Sequence, residues 1–572
     1  MGKIKEKYGS IIESGLIFIL FTLIVTLWMN TSRTLNYDLT WCFHISQKVA
    51  NGDLLYSEIS TVVTPLYFWF GAIFIKIFGN SLISMNIFGG VVWGIIATTL
   101  YNILKITVDK RNYLFLPLFA IFLLRYSAVI SMTNYNSFAV MWWLIAIFLE
   151  IKRELNEKDN KEILYNVSIG LVLGITFFSK QNIGFFAVVT TGAISIFKWI
   201  LNKKNTIKEI LSKMLGFFVV MLVMLIYFIF TNTFSFFIDF CFGGLLEFGT
   251  ENVKHKFIVK YVALAVILTL AIITAIKKKD KILMIEVMAQ IAFCGLSYPL
   301  PNDYHVILSL LMSILIIMRI INYTLEKEGI YFLTVILFLI WAITSSYFDS
   351  NYPRIFFEDM MMGERIGGEL YGAILMLLIM NVGLGIAFEK IGKCKVVTYI
   401  LLVLVIASNV YIYSEIRKTE YIAKGLEEYQ NLGLTKEQLG YIEKIIEYIF
   451  EKEAEGYNVY VISADASYYM LALERNNYKF DLTLYGSLGS KGEEGLIEDV
   501  SKLENAILLK NEDLMHQEPV GFDTYIKQNY SVIDRVGMMN VYGQMGRRNL
   551  SIKQIKSFFK KVLTRWNHIA IL

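Results

Sequence analysis

Along residues 1–413 the apolar positions come in blocks of about 20, separated by short polar stretches, the pattern of helices that cross a bilayer. The blocks fall at 11–29, 81–104, 113–130, 138–150, 163–179, 184–200 and 214–234, then at 258–276, 282–298, 305–321, 330–345, 371–388 and 396–413. They predict thirteen spans. A further apolar segment, 62–78 (VVTPLYFWFGAIFIKIF), is rich in aromatic residues. That content suits a helix lying at the membrane surface rather than crossing it.

Basic residues fix the expected orientation. Lys3, Lys5 and Lys7 precede the first span, which places the N-terminus in the cytoplasm. With 62–78 at the surface, the basic clusters at Lys105–Arg111, Lys152–Lys161, Lys203–Lys208, Lys277–Lys281 and Lys390–Lys395 all fall on the same side. After the first outer loop, the opposite loops hold few basic residues: Lys180, Lys254, Lys256, Arg354 and Arg365. If 62–78 crossed the bilayer, every later loop would flip and the positive residues would face outward. An odd number of spans then puts residues 414–572 outside.

That tail changes pattern. Residues 415–452 read as charged helix, whereas YNVYVIS (457–463), NAILLK (505–510) and MNVYGQM (539–545) read as strands with helices between them. The expected architecture is an α-helical polytopic membrane protein, residues 1–413, carrying a C-terminal extracytoplasmic α/β domain, residues 414–572. The final stretch SIKQIKSFFKKVLTRW has Ile552, Ile555, Phe559, Val562 and Trp566 near one face. It reads equally as a helix on anionic lipid or as one packed on its own domain.

Composition agrees with this plan. Of 572 residues, 56% are hydrophobic and 18% charged, below the roughly 25% charged of soluble domains. The mean hydropathy is +0.53. A net charge of +5, with no basic stripe interleaved with aromatics, gives no footprint for nucleic acid. Cys42, Cys241, Cys294 and Cys394 are scattered and have no metal-ligand spacing. The first apolar run ends in NTSRTLNYD rather than in a small-residue cleavage site, so it reads as a retained span. No G-x-x-x-x-G-K-[ST] is present to bind a nucleotide.

The first outer loop, residues 30–80, is long and polar beside a membrane surface, as functional loops are. Asp38 follows the first span, flanked by Tyr37 and Trp41. By itself it reads as the cap of a helix over LTWCFHISQKVA. In order along the loop stand Asp38, that helix, NGDLLY, Glu58 and PLYFWFGAIF with a closing FG. This order resembles the start of type-C membrane glycosyltransferases. It is most similar to the family of lipid A aminoarabinose transferases and protein O-mannosyltransferases (a family 39-like, bacterial pattern). Leu39 stands where a second acid often follows, Leu55 replaces the usual Pro before Tyr56, and Thr64 replaces the first Pro before Leu66. GLVLGITFFSKQNIG (170–184) and YPLPNDYHVILSL (298–310) resemble further segments of that family. FDLTLYGSLGSKGEEG resembles tails of such proteins from low-GC Gram-positive bacteria.

The resemblance implies roles residue by residue. Asp38 matches the catalytic base, and Tyr56 and Glu58 match a mobile substrate loop. Lys180 and His305 match positions that hold the lipid phosphate, and Arg354 joins them on the outer side. Asn136 in SMTNYNS stands where relatives often carry a metal-binding Asp, so no metal ligand is assigned and a divalent ion stays an open alternative. Without the family, Lys180 would be a lysine snorkelling to headgroups, His305 a helix-start histidine, and Arg354 part of a solvated charged loop. The implied function is transfer of a sugar, hexosyl or pentosyl, from a polyprenyl-phosphate-linked donor to an extracytoplasmic acceptor, with inversion. Nucleotide sugars are cytoplasmic, so an outward-facing transferase needs a donor already carried across. The alternatives are a transporter or flippase of a lipid-linked sugar, or an inactive scaffold protein of the same fold. Absent repeats and only 6 prolines speak against the transporter.

Overall fold

The computed structural model describes residues 2–31, 35, 37–108, 114–125, 134–155, 161–202, 206–243, 258–297, 311–320, 374, 377–382, 391–477, 480, 483, 487–512 and 519–544. The chain folds as a multi-pass helical membrane protein with a small C-terminal sheet. Its membrane part contains α1 (Gly2–Asn30), α2 (Tyr37–Asn51), α3 (Leu66–Phe78), α4 (Leu82–Thr107), α5 (Phe115–Arg125) and α6 (Tyr135–Leu155). These are followed by α7 (Glu162–Ser179), α8 (Gln181–Asn202), α9 (Thr206–Phe230), α10 (Phe234–Ile238), α11 (Ile258–Lys278) and α12 (Lys281–Ser297). A helix at Leu311–Ile320 and the long helix Ile391–Arg417 follow. Among the described residues, six helices are long and apolar enough to cross a membrane. The expected span 330–345 and most of 371–388 lie outside the described residues.

Segment 62–78 forms α3 only from Leu66, and its 13 residues reach about 20 Å, short of a bilayer core of about 30 Å. One side, with Tyr67, Phe68, Gly71, Ala72 and Ile75, is buried, while Ile73, Ile77 and Phe78 are exposed. A helix half-covered in this way needs a second apolar medium on its other side, in keeping with the surface placement expected from its aromatics.

Lipid offers no hydrophobic drive between helices, so close backbone approach through small residues carries their packing. At the contact of α7 with α9, a Cβ on Gly170 would overlap the Lys213 carbonyl, and one on Gly216 would overlap the Val167 carbonyl. Each glycine makes room for the other helix's backbone. Buried charges in this region are paired. Glu150 and Arg153 of α6, Lys198 of α8, and Glu209 and Lys213 of α9 are all buried. Lys213 lies 2.8 Å from Glu150 and 2.7 Å from Glu209, and Arg153 lies 2.6 Å from Glu209. Removing one member of such a set leaves an uncompensated buried charge, which costs about 3–5 kcal/mol.

The C-terminal part holds α15 (Lys436–Ala454), β1 (Asn458–Val461), α16 (Ala466–Leu473), α17 (Gly492–Ser501), β2 (Ala506–Asn511), α18 (Val520–Asn529), β3 (Tyr530–Val536) and β4 (Met539–Gln544); the helices at Leu311–Ile320 and Ile391–Arg417 are α13 and α14. The sheet order is β1-β2-β4-β3. β1 and β2 are parallel, with Val459 opposite Ile507, and the other pairs are antiparallel. Three strands stand where the apolar runs predict them. β3 is additional. It is an edge strand with Ser531 to Arg535 exposed, so it lacks the apolar signature of a covered strand, and it is held by a hairpin to β4 through Gly537 at φ 58°. β2 is buried at all six positions, which explains its apolar run Ala506–Leu509.

The tail is seated on the membrane part at several points. Asn80 donates to Glu474 at 2.8 Å, and Asn476 donates to the Glu58 carbonyl at 3.3 Å. Within FDLTLYGSLGSKGEEG, the Ser490 amide donates to Asp239 at 2.9 Å. That segment therefore caps the turn that follows α10.

Candidate functional site

α2 runs Tyr37–Asn51, so Asp38 is the second residue of its first turn. Its negative charge there faces the positive end of the helix dipole. Asp38 is exposed, while Trp41, Cys42 and Phe43 immediately after it are buried. It therefore stands at the open rim of a packed region. Crowding by protein raises its pKa above the ordinary carboxylate value, and the Lys180 charge pulls it back down.

Lys180 is the single residue between α7 and α8. Its backbone is extended, at φ −162° and ψ 121°, which ends one helix while its carbonyl accepts from the Gly184 amide at 2.9 Å to start the next. Gln181 locks the junction by donating to the carbonyls of Val62 at 2.8 Å and Cys241 at 3.0 Å. Thr64, at the position where the resembled family carries Pro, donates to the Phe177 carbonyl at 3.2 Å. The Lys180 side chain keeps some accessible surface, but its ammonium sits among protein atoms over the face of Tyr135, 4.1 Å from the ring centroid. Burial lowers its pKa to about 7, against the opposing pull of Cys42 and Asp38. Such a cation over an aromatic face gains about 0.5–2 kcal/mol.

Tyr135 begins α6 and ties the site together. Its ring packs edge-on to Trp41 of α2 at 6.2 Å and to Tyr67 of α3 at 6.0 Å. One aromatic cluster thus holds the starts of α2, α3 and α6 around the Asp38–Lys180 pair. Burial, and then the Asp38 charge, push the Cys42 thiol up, which keeps it protonated and unreactive.

Tyr56 and Glu58 occupy a tight turn. Tyr56 adopts φ 75°, its amide donates to the Ile59 carbonyl at 2.7 Å, and its hydroxyl donates to the Val63 carbonyl at 3.0 Å. Its buried ring packs against Phe237 at 5.3 Å and Phe228 at 6.1 Å. The Glu58 carboxylate accepts from the Leu54 amide at 2.6 Å and closes the turn. These contacts shape the loop. Asn136, next to Tyr135, is 4% exposed, and among the described residues its side-chain oxygen has no hydrogen-bond partner. Among the described residues, no three His, Cys, Asp or Glu side chains gather in a way that could hold a metal ion. His305 and Arg354 lie outside the described residues.

The structure thus brings Asp38 and Lys180 together with Trp41, which flanks Asp38 in sequence, and with Tyr67, and it adds Tyr135, which sequence reasoning did not single out. Tyr135 lies inside SMTNYNS, beside the highlighted Asn136, but an aromatic in a loop carries no mark of the lysine it will meet.

Residues 62–231 match the dolichyl-phosphate-mannose-protein mannosyltransferase family. This segment contains Tyr67, Tyr135 and Lys180. No curated protein is significantly similar to the chain in sequence. In fold, it is similar to ArnT from Cupriavidus metallidurans bound to undecaprenyl phosphate, with a TM-score of 0.54 at 12% identity, over 92% of this chain and 97% of that one. It is also similar to the apo state of the same protein, with a TM-score of 0.51 at 12% identity, over 94% of this chain and 98% of that one. The chain shares the fold of ArnT, and its residues 62–231 match the model of the dolichyl-phosphate-mannose-protein mannosyltransferase family.

Proposed function

We propose that the chain is a glycosyltransferase that moves a hexosyl or pentosyl group from a polyprenyl-phosphate-linked donor to an extracytoplasmic acceptor. The observation that carries this reading is the pairing of an accessible carboxylate, Asp38, with an enclosed ammonium, Lys180, at the junction of two membrane helices. The first can take a proton and the second can hold a phosphate, the two requirements of the reaction. The bound undecaprenyl phosphate of the ArnT structure, similar in fold, supports a lipid-phosphate ligand.

In this mechanism the acceptor hydroxyl attacks the anomeric carbon of the donor. Its oxygen forms the new glycosidic bond as the bond from that carbon to the phosphate oxygen breaks. The hydroxyl proton passes to the Asp38 carboxylate. The electron pair leaves with the polyprenyl phosphate, whose added charge Lys180 stabilises. Attack opposite to the leaving phosphate inverts the anomeric centre. A phosphate beside Lys180 also raises its pKa, so donor binding holds the lysine charged. His305 and Arg354 are proposed as further phosphate-binding groups, and Tyr56 and Glu58 as shaping the substrate loop.

The test is release of label from a polyprenyl-phosphate sugar carrying a radioactive sugar, using the purified full-length protein in lipid nanodiscs. Acceptor-dependent transfer is expected. Movement of the intact lipid-linked sugar across a bilayer without cleavage would replace this reading with transport, and neither activity would leave a scaffold.

The reaction also needs an orientation. The basic clusters support a cytoplasmic N-terminus, with residues 1–413 as the transferase portion and 414–572 as an extracytoplasmic domain. A reporter active only outside should work when fused after residue 414, and a cytoplasmic reporter should work within 277–281. The reverse pattern would sink both the orientation and the argument for a lipid-carried donor.

A further inference from the structure

The first turn of a helix is its least secure part, because its leading amide groups have no partners within the helix. Asp38 sits in that turn, at an exposed rim. Besides the aromatic cluster around Tyr135, contacts from the C-terminal tail hold this turn.

Two adjacent residues of α16 reach to either side of Asp38. The Ser467 hydroxyl lies 2.8 Å from the Thr40 hydroxyl, two residues after the carboxylate. The Tyr468 hydroxyl donates to the Leu35 carbonyl at 3.2 Å, three residues before it. Thr40 is fully buried and Ser467 is 3% exposed, so the Ser467–Thr40 contact is shielded from water. Further along α2, Gln47 donates to the Leu471 carbonyl at 3.4 Å.

α16 is itself immobilised. Asp465, at its start, accepts from Ser463 at 2.6 Å, from the Tyr469 hydroxyl at 3.0 Å and from Asn511 at 3.3 Å. Ser463 follows β1 and Asn511 ends β2, so the helix is tied to both parallel strands. The Tyr429 hydroxyl donates to the Tyr468 carbonyl at 2.8 Å. The sheet thus fixes the start of α16, and α16 in turn contacts the turn that carries the carboxylate.

We infer that Ser467 and Tyr468 are positioning residues for Asp38, and that the tail sheet is part of the frame of the transfer site rather than an appended module. The inference rests on the proposed transferase reading for its kinetic test, and on α2 alone for its structural one. A carboxylate misplaced by about 1 Å loses on the order of 100-fold in rate. Lys180, held by Tyr135 and Gln181, is outside this path.

The experiment uses the full chain carrying Ser467→Ala together with Tyr468→Phe, with Ser467→Thr as the conservative control. Amide hydrogen exchange is measured in residues 37–42, and kcat and KM for the polyprenyl-phosphate sugar are measured in parallel. The double variant should exchange faster in 37–42 with the membrane helices unchanged. Its kcat should fall by about 10-fold to 100-fold while KM for the lipid donor stays within about two-fold. Ser467→Thr, which keeps the hydroxyl, should behave like wild type. Wild-type exchange in the double variant overturns the inference, as does faster exchange throughout the chain, which would mark a general loss of fold. A kcat equal to wild type also overturns it. If the wild-type protein transfers no sugar, the transferase reading fails, and exchange in 37–42 still decides whether the tail holds this turn.

Discussion

Asp38→Asn should lower sugar transfer by about 100-fold to 10,000-fold, the range that general base catalysis contributes, while the protein folds normally. Asn has nearly the same shape as Asp and fits the same place in the first turn of α2. What it loses is the charge and the ability to take a proton at neutral pH. The lost charge at the positive end of α2 is worth about 0.3–1 kcal/mol, too little to unfold the chain. The structural and catalytic readings of Asp38 therefore separate on this one substitution. An Asn variant of normal stability that transfers sugar at the wild-type rate would remove Asp38 from the mechanism. Glu58, already engaged with the Leu54 amide, would then be the next carboxylate to examine.

Lys180→Ala should reduce donor use by about 100-fold to 1,000-fold, the loss expected when one donor to a developing negative charge is removed from an enclosed site. Lys180→Arg should retain more activity, because it keeps the charge. The pH dependence sharpens the test. Burial brings the Lys180 pKa down to about 7, whereas that of Asp38 is raised. The reaction needs Asp38 deprotonated and Lys180 protonated. In wild type, kcat/KM should therefore rise with pH through the carboxyl titration and fall again as pH passes about 7 and the free enzyme's lysine loses its proton. Arginine stays charged throughout this range, so in Lys180→Arg the alkaline fall should disappear. An unchanged alkaline limb in the Arg variant, or full activity in the Ala variant, would leave Lys180 as a residue of the helix junction only.

Much of the fold is legible along the chain because it is encoded locally. Apolar runs such as 82–107 and 162–179 become helices because a backbone in lipid must satisfy its own hydrogen bonds. The short run in 62–78 begins its helix only at Leu66, after Pro65. Ala506–Asn511 reads as a strand because every position is covered, whereas Tyr530–Val536 escapes notice because its middle faces water. Its strand state comes from pairing with β4, a partner that its own residues do not announce. The candidate site divides in the same way. Asp38 and Lys180 attract attention by chemistry and position, as ionisable groups beside apolar segments. Tyr56 also stands out in the loop, but its left-handed backbone and buried hydroxyl contact are tertiary facts.

By itself, then, the sequence determined the helical membrane plan, the change to an α/β tail, the long first loop and the two ionisable residues at membrane-helix ends. Their periodicity and charge are properties of neighbouring residues and survive without knowledge of the fold. The tertiary structure alone decided that Tyr135 lies under the Lys180 ammonium, that Gln181 locks the junction between α7 and α8, and that Ser467 and Tyr468 reach both sides of Asp38. Each of these joins segments far apart along the chain. A tyrosine or serine hydroxyl carries no local pattern that names its distant partner, and only packing of the helices against one another and against the tail brings the two within reach.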